Sequence, residues 1–269
     1  MIPFYIITLF AIVQGLSEFL PISSSGHLFL LFDIFSIVDN TLLIAIILHI
    51  ATLCSVILYY KKEILTLIKN PFCSTNKKIL VSTICTLIIA IPVYSIAKIF
   101  ITKEMLLFSF GATAILLLIA DYLSNTHYNL SNIIPLYNNI TNININYKQA
   151  ILIGLSQGLA IIPGLSRSGT TLATAVISGV DNSTAARYSF LISIPIIVAS
   201  GVLQMIEIII YKPTINFDIF SIIFAFIICF VIGMFAIKIC VKIVSKNKLY
   251  IFSYYLLFVM SVILILMFL

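Results

Sequence analysis

The chain reads QGLSEFLPISSSGH over residues 14–27 and QGLAIIPGLSRSGT over residues 157–170. Aligned without gaps at an offset of 143 positions, the two stretches share a Gln-Gly-Leu beginning and a Ser-x-Ser-Gly end. Proline and glycine interrupt both stretches, and these residues break helices inside apolar segments. Each stretch therefore predicts a broken helical hairpin, and the recurrence predicts a fold built from two repeats.

The two copies differ in the residues that carry chemistry. The first copy alone has Glu18, Ser24 and His27, whereas the second has Arg167. A carboxylate, an imidazole and a guanidinium are costly inside a bilayer, and their presence there usually marks a functional site. We therefore expect these side chains to meet and to carry out the reaction.

Composition predicts an integral membrane protein. Of the 269 residues, 62% are hydrophobic and 9% are charged, which leaves too little polar surface for a soluble fold. The net charge of +6 comes with lysines at the ends of apolar segments, as in membrane anchors, so no nucleic-acid partner is implied. The five cysteines form no CxxC or Cys/His motif, so neither a disulfide framework nor a zinc site is predicted.

The apolar pattern predicts an all-α polytopic membrane protein. Regions 1–38 and 149–180 are broken near the middle, and their short arms suit re-entrant hairpins better than full spans. Six uninterrupted stretches are long enough to span a bilayer, at 42–60, 79–101, 105–123, 185–211, 217–244 and 249–269.

The order of these segments predicts an inverted-topology repeat. Residues 1–269 form one membrane domain, in which halves 1–123 and 149–269 each consist of a re-entrant helical hairpin and three transmembrane helices. An Asn-rich polar loop at 124–148 joins the halves. Because three spans per half is an odd number, the second half must begin on the side opposite the first.

The lysines predict the orientation of the chain. They cluster between residues 61 and 78 and again between residues 238 and 248. Counting spans places both clusters on one side, which is cytoplasmic by the positive-inside rule. Both termini are then outside, the first hairpin enters from outside, and the second enters from inside. Inverted repeats with broken helices meeting near the midplane usually build a polar site there.

The second hairpin has the composition of an anion-binding site. Residues 163–171 offer backbone N–H groups, hydroxyls and the Arg167 guanidinium at the start of a helix, where unpaired N–H donors favour a phosphate. Arg167 adds a planar fork that matches phosphoryl oxygens. The alternative is that the hydroxyls only satisfy the broken helices and that Arg167 extends to a membrane interface.

The first hairpin supplies the remaining groups that phosphoryl transfer requires. This reaction needs charge neutralisation, an in-line nucleophile and a proton acceptor. Arg167 suits the first role, Ser24 or His27 the second, and Glu18 or His27 the third. His49 lies within an apolar span, where a histidine is more often a hydrogen-bonded core residue, and we expect no chemical role for it.

Together the two motifs resemble those of the undecaprenyl-diphosphate phosphatase family associated with bacitracin resistance. The resemblance covers essentially the whole chain, including the stretch FLISIP at 190–195. Position by position, it implies that Glu18 is the acidic residue, that Ser24 and His27 are candidate nucleophiles, and that Arg167 binds phosphate. It also implies a group of substrate-binding residues in the same pocket: Gln14, Ser23, Ser25, Gly26, Ser166, Ser168, Gly169 and Thr171.

The resemblance implies hydrolysis of a polyprenyl diphosphate to the monophosphate, which recycles the lipid carrier for cell-envelope glycan synthesis. It further implies a divalent cation, Mg²⁺ or Ca²⁺, with Glu18 as a ligand, and an active site that opens to the outer face of the plasma membrane. Many members have Glu where this chain has Gln14, so we expect weaker metal binding and a proton transfer that depends on Glu18. A homodimer remains open.

Transport of a lipid phosphate is the alternative from another class, because broken helices in inverted repeats are typical of transporters. A carrier needs a binding site but no nucleophile and base. The presence of Glu18, Ser24 and His27 in one copy only therefore favours catalysis. Ser24, His27 and a water molecule activated by Glu18 remain three alternative nucleophiles.

Overall fold

The computed structural model describes residues 2–37, 41–97, 102–128, 143–211 and 218–268. Within these ranges the regular structure is entirely helical. The helices in chain order are α1 (Phe4–Ser17), α2 (Ser24–Ile34), α3 (Thr41–Tyr59), α4 (Lys61–Lys69), α5 (Ser74–Ala97), α6 (Lys103–Tyr128), α7 (Tyr147–Leu159), α8 (Arg167–Ile177), α9 (Asn182–Tyr211), α10 (Ile219–Val244) and α11 (Tyr250–Phe268).

Five of the described helices, α3, α5, α6, α9 and α10, are long and apolar enough to cross a membrane. The sixth predicted span becomes α11, which counts as a shorter apolar helix over Tyr250–Ile265. The prediction of an all-helical polytopic membrane protein is confirmed at this level, since apolar helices satisfy their own backbone hydrogen bonds in lipid.

Both broken regions form pairs of short helices. The first is α1 and α2, and the second is α7 and α8. At 1.5 Å per residue, the 11 residues of α2 or of α8 cover about 16 Å, roughly half of the hydrocarbon core. Ser23 and Ser166 cap the starts of α2 and α8, since each hydroxyl accepts from the backbone N–H three residues on.

The described ends of the polar segment between the halves are helical. Of the predicted loop at 124–148, residues 124–128 continue α6, where Asn125 Nδ2 donates to Asp121 Oδ2 at 3.2 Å. Residues 147 and 148 already belong to α7, whose start is fixed by a capping box between Asn146 and Gln149. The part of the predicted loop at 129–142 lies outside the described residues.

The first helix of each broken pair packs against a long helix of the other half. Helix α1 packs most extensively on α10, and α7 packs most extensively on α5. Glycines at matching motif positions allow this close approach: a Cβ atom on Gly15 would lie 2.8 Å from Cys229 O, and one on Gly158 would lie 2.8 Å from Thr86 O. Small residues commonly permit such backbone contact between membrane helices.

Contacts between helix termini define two ends of the bundle. At the first, here called the lysine end, the termini of α4, α5, α6, α9, α10 and α11 meet, and the contacts are Glu63–Arg187, Lys78–Ile143, Asn182–Asn247 and Asp121–Tyr250. At the opposite end, the contacts are Phe4–Phe224, Asp33–Lys103 and Tyr94–Glu207. The start of α1 and the end of α2, which are the termini away from the break in this pair, therefore lie opposite the lysine end. The corresponding termini of the second pair, the start of α7 and the end of α8, lie at the lysine end.

Candidate active site

Glu18 is the centre of a polar cluster that both broken pairs build. It follows the last residue of α1, and its side chain is 4% exposed. Its Oε1 accepts from Arg167 Nη2 at 2.5 Å, while its Oε2 accepts from Ser24 Oγ at 2.6 Å and from Gln14 Nε2 at 2.9 Å. A buried carboxylate is stable only with such partners, so the cluster stabilises Glu18 as an anion.

The tips of the two helix pairs touch each other directly. Ser168 Oγ donates to Leu20 O at 3.0 Å, and Gly164 N donates to Ser25 Oγ at 3.4 Å. Gly164 has φ +86°, a conformation that favours glycine, and a Cβ atom on Gly26 would lie 3.2 Å from Gly164 Cα. The residues that sequence analysis placed face to face are therefore in contact.

A cavity of about 280 Å³ lies beside this cluster. Ser23, Ser24 and Ser25 line it at the start of α2, and Ser166, Arg167 and Ser168 line it at the start of α8. Two helix N-termini thus converge on one space that also contains a guanidinium. Because helix N-termini carry partial positive charge and spare N–H donors, the arrangement suits a phosphate group.

His27 lies outside this cavity, although the sequence suggested a catalytic role. Its Nδ1 is 2.7 Å from Ser23 O, its Nε2 is 2.8 Å from Tyr255 Oη, and its ring packs against Phe110 and Tyr255. A carbonyl only accepts, so Nδ1 carries the proton and Nε2 of the neutral ring accepts from Tyr255. Both ring nitrogens are therefore engaged away from Glu18 and Arg167.

His49 lines the cavity, although sequence analysis gave it no chemical role. Its Nε2 lies 3.7 Å from Glu18 Oε2, and its Nδ1 is 2.7 Å from Ala45 O. The carbonyl again fixes the proton on Nδ1, which leaves Nε2 directed at the carboxylate. His49 lies on α3 and reaches Glu18 only through tertiary packing, so no local sequence motif predicts this contact.

Of the predicted substrate-binding residues, some face the cavity and others support it. Ser23, Ser25, Ser166 and Ser168 line it, as stated above. Gly169 N donates to Ser166 Oγ, and Thr171 Oγ1 lies 2.5 Å from Ser189 Oγ in the core. Gln14 is buried against Glu18. The supporting residues, which the structure does not place on the cavity wall, are Gln14, Gly26, Gly169 and Thr171.

The far wall of the cavity comes from α5 and α9 and carries polar residues that sequence analysis missed. Thr86 and Tyr94 project from α5, and Ser200 and Gln204 project from α9. Tyr94 Oη also donates to Glu207 Oε1 at 3.0 Å near the end of the bundle opposite the lysine end. Their spacing of eight residues on α5 and of four residues on α9 is the one sequence signal that points to a shared polar face.

The fold is that of a multi-pass membrane protein whose helix bundle encloses a polar cluster around Glu18 and Arg167. A family model described as bacitracin resistance protein BacA matches residues 7–262. The match spans most of the chain, and the chain belongs to this family.

Relatives named undecaprenyl-diphosphatase come from distant organisms. One from Carboxydothermus hydrogenoformans is 34% identical over 91% of this chain and 90% of its own length. One from Borrelia recurrentis is 35% identical over 93% and 94%, respectively. One from the genus Methanococcus, M. vannielii, is 34% identical over 92% and 94%. More than nine-tenths of the chain is therefore shared with each of these proteins.

Proposed function

We propose that the protein hydrolyses a polyprenyl diphosphate of the undecaprenyl type to its monophosphate and inorganic phosphate. The observation that carries the proposal is the hydrogen bond from Ser24 to Glu18 beside a cavity that two helix N-termini and Arg167 surround. The names of the full-length relatives support the same substrate class. The product is the lipid carrier that cell-envelope glycan synthesis reuses.

Substrate binding begins with the terminal phosphate at Arg167. The guanidinium contacts only one oxygen of Glu18 through Nη2 and presents its planar fork at the cavity wall. An incoming phosphate competes for this group and takes N–H donors from the starts of α2 and α8. Glu18 then keeps Ser24 as its main partner, so charge neutralisation of the substrate and activation of the hydroxyl occur together.

Ser24 is the nucleophile in this scheme. Its Oγ attacks the terminal phosphorus as its proton passes to Glu18 Oε2, and the bond between phosphorus and the bridging oxygen breaks. The polyprenyl monophosphate leaves with the proton that Glu18 had taken, and Ser24 carries the phosphoryl group. A water molecule then attacks this phosphoserine and gives a proton to Glu18, which passes it to Ser24 Oγ as the bond between phosphorus and Oγ breaks and inorganic phosphate departs.

His49 completes the proton path in this proposal. Its Nε2 lies 3.7 Å from the carboxylate oxygen that receives the Ser24 proton, and His49 lines the same cavity. His27 instead binds Ser23 O and Tyr255, so we assign it to positioning the start of α2. Direct attack by water with Glu18 as base is the remaining alternative from the sequence.

A divalent cation, Mg²⁺ or Ca²⁺, is part of the proposal, and the donor set fits one that is held weakly. No cluster of three or more His, Cys, Asp and Glu side chains occurs in the described part of the chain. Glu18 offers a carboxylate, and Gln14 Oε1 is buried without a hydrogen-bond partner among the described residues. Magnesium binds through one or two such oxygens together with substrate phosphates, whose charge it neutralises.

The inverted repeat and the re-entrant hairpins belong to the same proposal. In support, the α1–α2 pair opens at one end of the bundle and the α7–α8 pair at the other. The exchanged packing of α1 on α10 and of α7 on α5 is what a two-fold axis in the membrane plane would produce. With the lysine end in the cytoplasm, the cavity wall reaches toward the outer face of the plasma membrane through Tyr94.

The experiment that tests this function is phosphate release from a long-chain polyprenyl diphosphate by purified protein in detergent, with and without Mg²⁺ or Ca²⁺. We expect release that depends on the cation and that Glu18→Gln and Ser24→Ala abolish. A folded wild-type protein that releases no phosphate but moves a lipid phosphate across vesicles would replace the proposal with transport. The homodimer stays a prediction.

A further inference from the structure

Helix α4 has a surface that the phosphatase chemistry does not explain. Leu65 is 55% exposed and Ile68 is 67% exposed, and Phe72 in the following turn is 83% exposed. Lys61, Lys62 and Lys69 are exposed on the same helix. Large apolar side chains and lysines therefore share the outer surface of one short helix.

The helical spacing sorts these residues into two neighbouring faces. At 100° per residue, Leu65 and Ile68 lie on one sector, with Lys61 between them, and Lys62 and Lys69 lie on the next sector. A helix that carries an apolar sector beside a lysine sector lies in a membrane interface, with its apolar side chains between the acyl chains and its lysines among the headgroups.

Two contacts hold α4 against the bundle at its other faces. Asn76 Nδ2 donates to Leu67 O at 2.8 Å and to Asn70 O at 3.1 Å, which fastens the end of α4 to the start of α5. Glu63 Oε1 lies 3.9 Å from Arg187 Nη2 of α9. The side chain of Glu63 is thus turned away from the lysine sector and towards Arg187, which leaves a basic surface.

An apolar groove of about 290 Å³ runs beside α4. It lies between α4, the start of α5 and the part of α9 around Pro195, and it is separate from the cavity at Glu18. The side chains that form most of its wall are Ile64, Leu67, Ile68, Ile79, Leu191 and Ile194. A groove with this lining suits a hydrocarbon chain.

We propose that α4 and this groove form a binding site for an anionic phospholipid of the inner leaflet. The groove takes one acyl chain, and the lysines of α4 bind the headgroup phosphate. Charge complementarity selects the anionic lipid, because neighbouring lysines at a membrane surface each strengthen its binding. The site is independent of the proposed phosphatase reaction and lies at the lysine end of the bundle.

The test uses the absence of tryptophan from the sequence. In Phe72→Trp, the new indole is the sole tryptophan and lies next to Pro71 of the groove. The protein is reconstituted in bilayers that contain brominated phosphatidylglycerol or brominated phosphatidylcholine, and quenching is measured against lipid fraction. We expect half-maximal quenching at an at least fivefold lower fraction of phosphatidylglycerol, since one neighbouring lysine contributes about fivefold.

The matched variants in the Phe72→Trp background remove three lysines each. Lys61→Gln, Lys62→Gln and Lys69→Gln together are expected to remove the preference. Lys238→Gln, Lys242→Gln and Lys246→Gln change the net charge equally at the same end of the bundle and are expected to keep it. Equal quenching by the two lipids in Phe72→Trp alone would overturn the proposal. A preference for phosphatidylglycerol that survives replacement of the three α4 lysines would also overturn it. So would a preference that is lost in both triple variants.

Discussion

At the scale of single residues, Glu18 receives hydrogen bonds from both copies of the motif. Ser24 and Gln14 reach it from the first copy, and Arg167 reaches it from the second. The residues that differ between the copies thus meet in one cluster. The first copy contributes the Ser24 hydroxyl and its acceptor Glu18, and the second contributes the positive charge of Arg167. Neither copy contains the complete set.

Arg167→Lys tests whether the planar guanidinium is required. Lysine keeps the positive charge but cannot bind two phosphoryl oxygens with a rigid fork, so turnover should fall by about a hundredfold or more. Arg187→Lys is the matched control, because Arg187 faces Glu63 at the lysine end rather than the cavity. Initial rates of phosphate release would be compared, and similar losses in both variants would contradict the phosphate-binding role of Arg167.

His27→Gln and Tyr255→Phe distinguish a positioning role from a nucleophilic one. If His27 acts by holding the start of α2, loss of its hydrogen bond to Tyr255 should lower both turnover and melting temperature in the two variants to a similar extent. The measurement is turnover beside thermal unfolding in detergent. Abolished turnover in His27→Gln with an unchanged melting temperature and a fully active Tyr255→Phe would make His27 the nucleophile instead.

The meeting of Glu18, Ser24 and Arg167 could be predicted from the sequence because the two motifs place them at matching breaks in apolar segments. The placement of the two histidine rings could not. His27 is three positions from Ser24, yet its ring turns back to Ser23 O and to α11. His49 comes from the next helix and meets Glu18 only after α3 packs against α1. Side-chain direction, and not sequence distance, decides between them.

At the scale of helices, two equivalent interfaces rest on glycine. Gly15 brings α1 against α10, and Gly158 brings α7 against α5, at the same position of the two motifs. The hydroxyls of Ser82 and Thr86 also donate across the α5–α7 interface to Ala150 O and Gly154 O. These contacts set the position of the α1 end that carries Glu18 and of the α7 end that precedes Arg167.

Gly15→Ala is expected to destabilise the protein. Its Cβ atom would meet the Cys229 carbonyl at 2.8 Å and the Ile232 side chain at 3.0 Å, so α1 and α10 must separate at a cost of about 1–3 kcal/mol. Gly201→Ala is the control, since a Cβ atom there meets nothing within 4 Å. Thermal unfolding in detergent should show a lower melting temperature for Gly15→Ala alone. Equal melting temperatures would contradict the close packing of α1 on α10.

Helix α4 is an element that the hydropathy pattern did not predict. The residues between the spans α3 and α5 are rich in lysine, and the sequence therefore suggested only a cytoplasmic segment. Their apolar residues recur with helical spacing over just nine positions, too few for a reliable periodicity. The helix is stabilised by contacts from outside its own nine residues, one from nearby Asn76 and one, distant in sequence, from Arg187. The neighbouring long spans could be predicted because each consists of a sustained apolar run.

At the scale of the whole molecule, the direction in which the cavity opens determines the side of the membrane on which hydrolysis occurs. The wall residues Tyr94 and Gln204 lie toward the ends of α5 and α9 that are opposite the lysine end. In the orientation proposed above, this is the outer side. A diphosphate released on that face would therefore enter the site without crossing the bilayer.

Labelling of Gln204→Cys in intact cells tests this orientation. In a background with all five native cysteines replaced by alanine, a thiol reagent that cannot cross membranes should modify position 204 from outside. Lys77→Cys is the control at the lysine end, and it should react only after the cells are permeabilised. The opposite pattern would invert the topology, and the proposed outer-face reaction would then be wrong.

In the proposed reaction, Ser24 acts as the nucleophile and Glu18 as its base. The most direct measurement is rapid acid quenching of the purified protein during turnover of a polyprenyl diphosphate with a radiolabelled terminal phosphate. We expect transient label on the chain, which peptide mapping should locate at Ser24. In Ser24→Ala we expect neither label nor turnover. Turnover by Ser24→Ala at a rate near that of the wild-type protein would contradict the claim and favour water activated by Glu18.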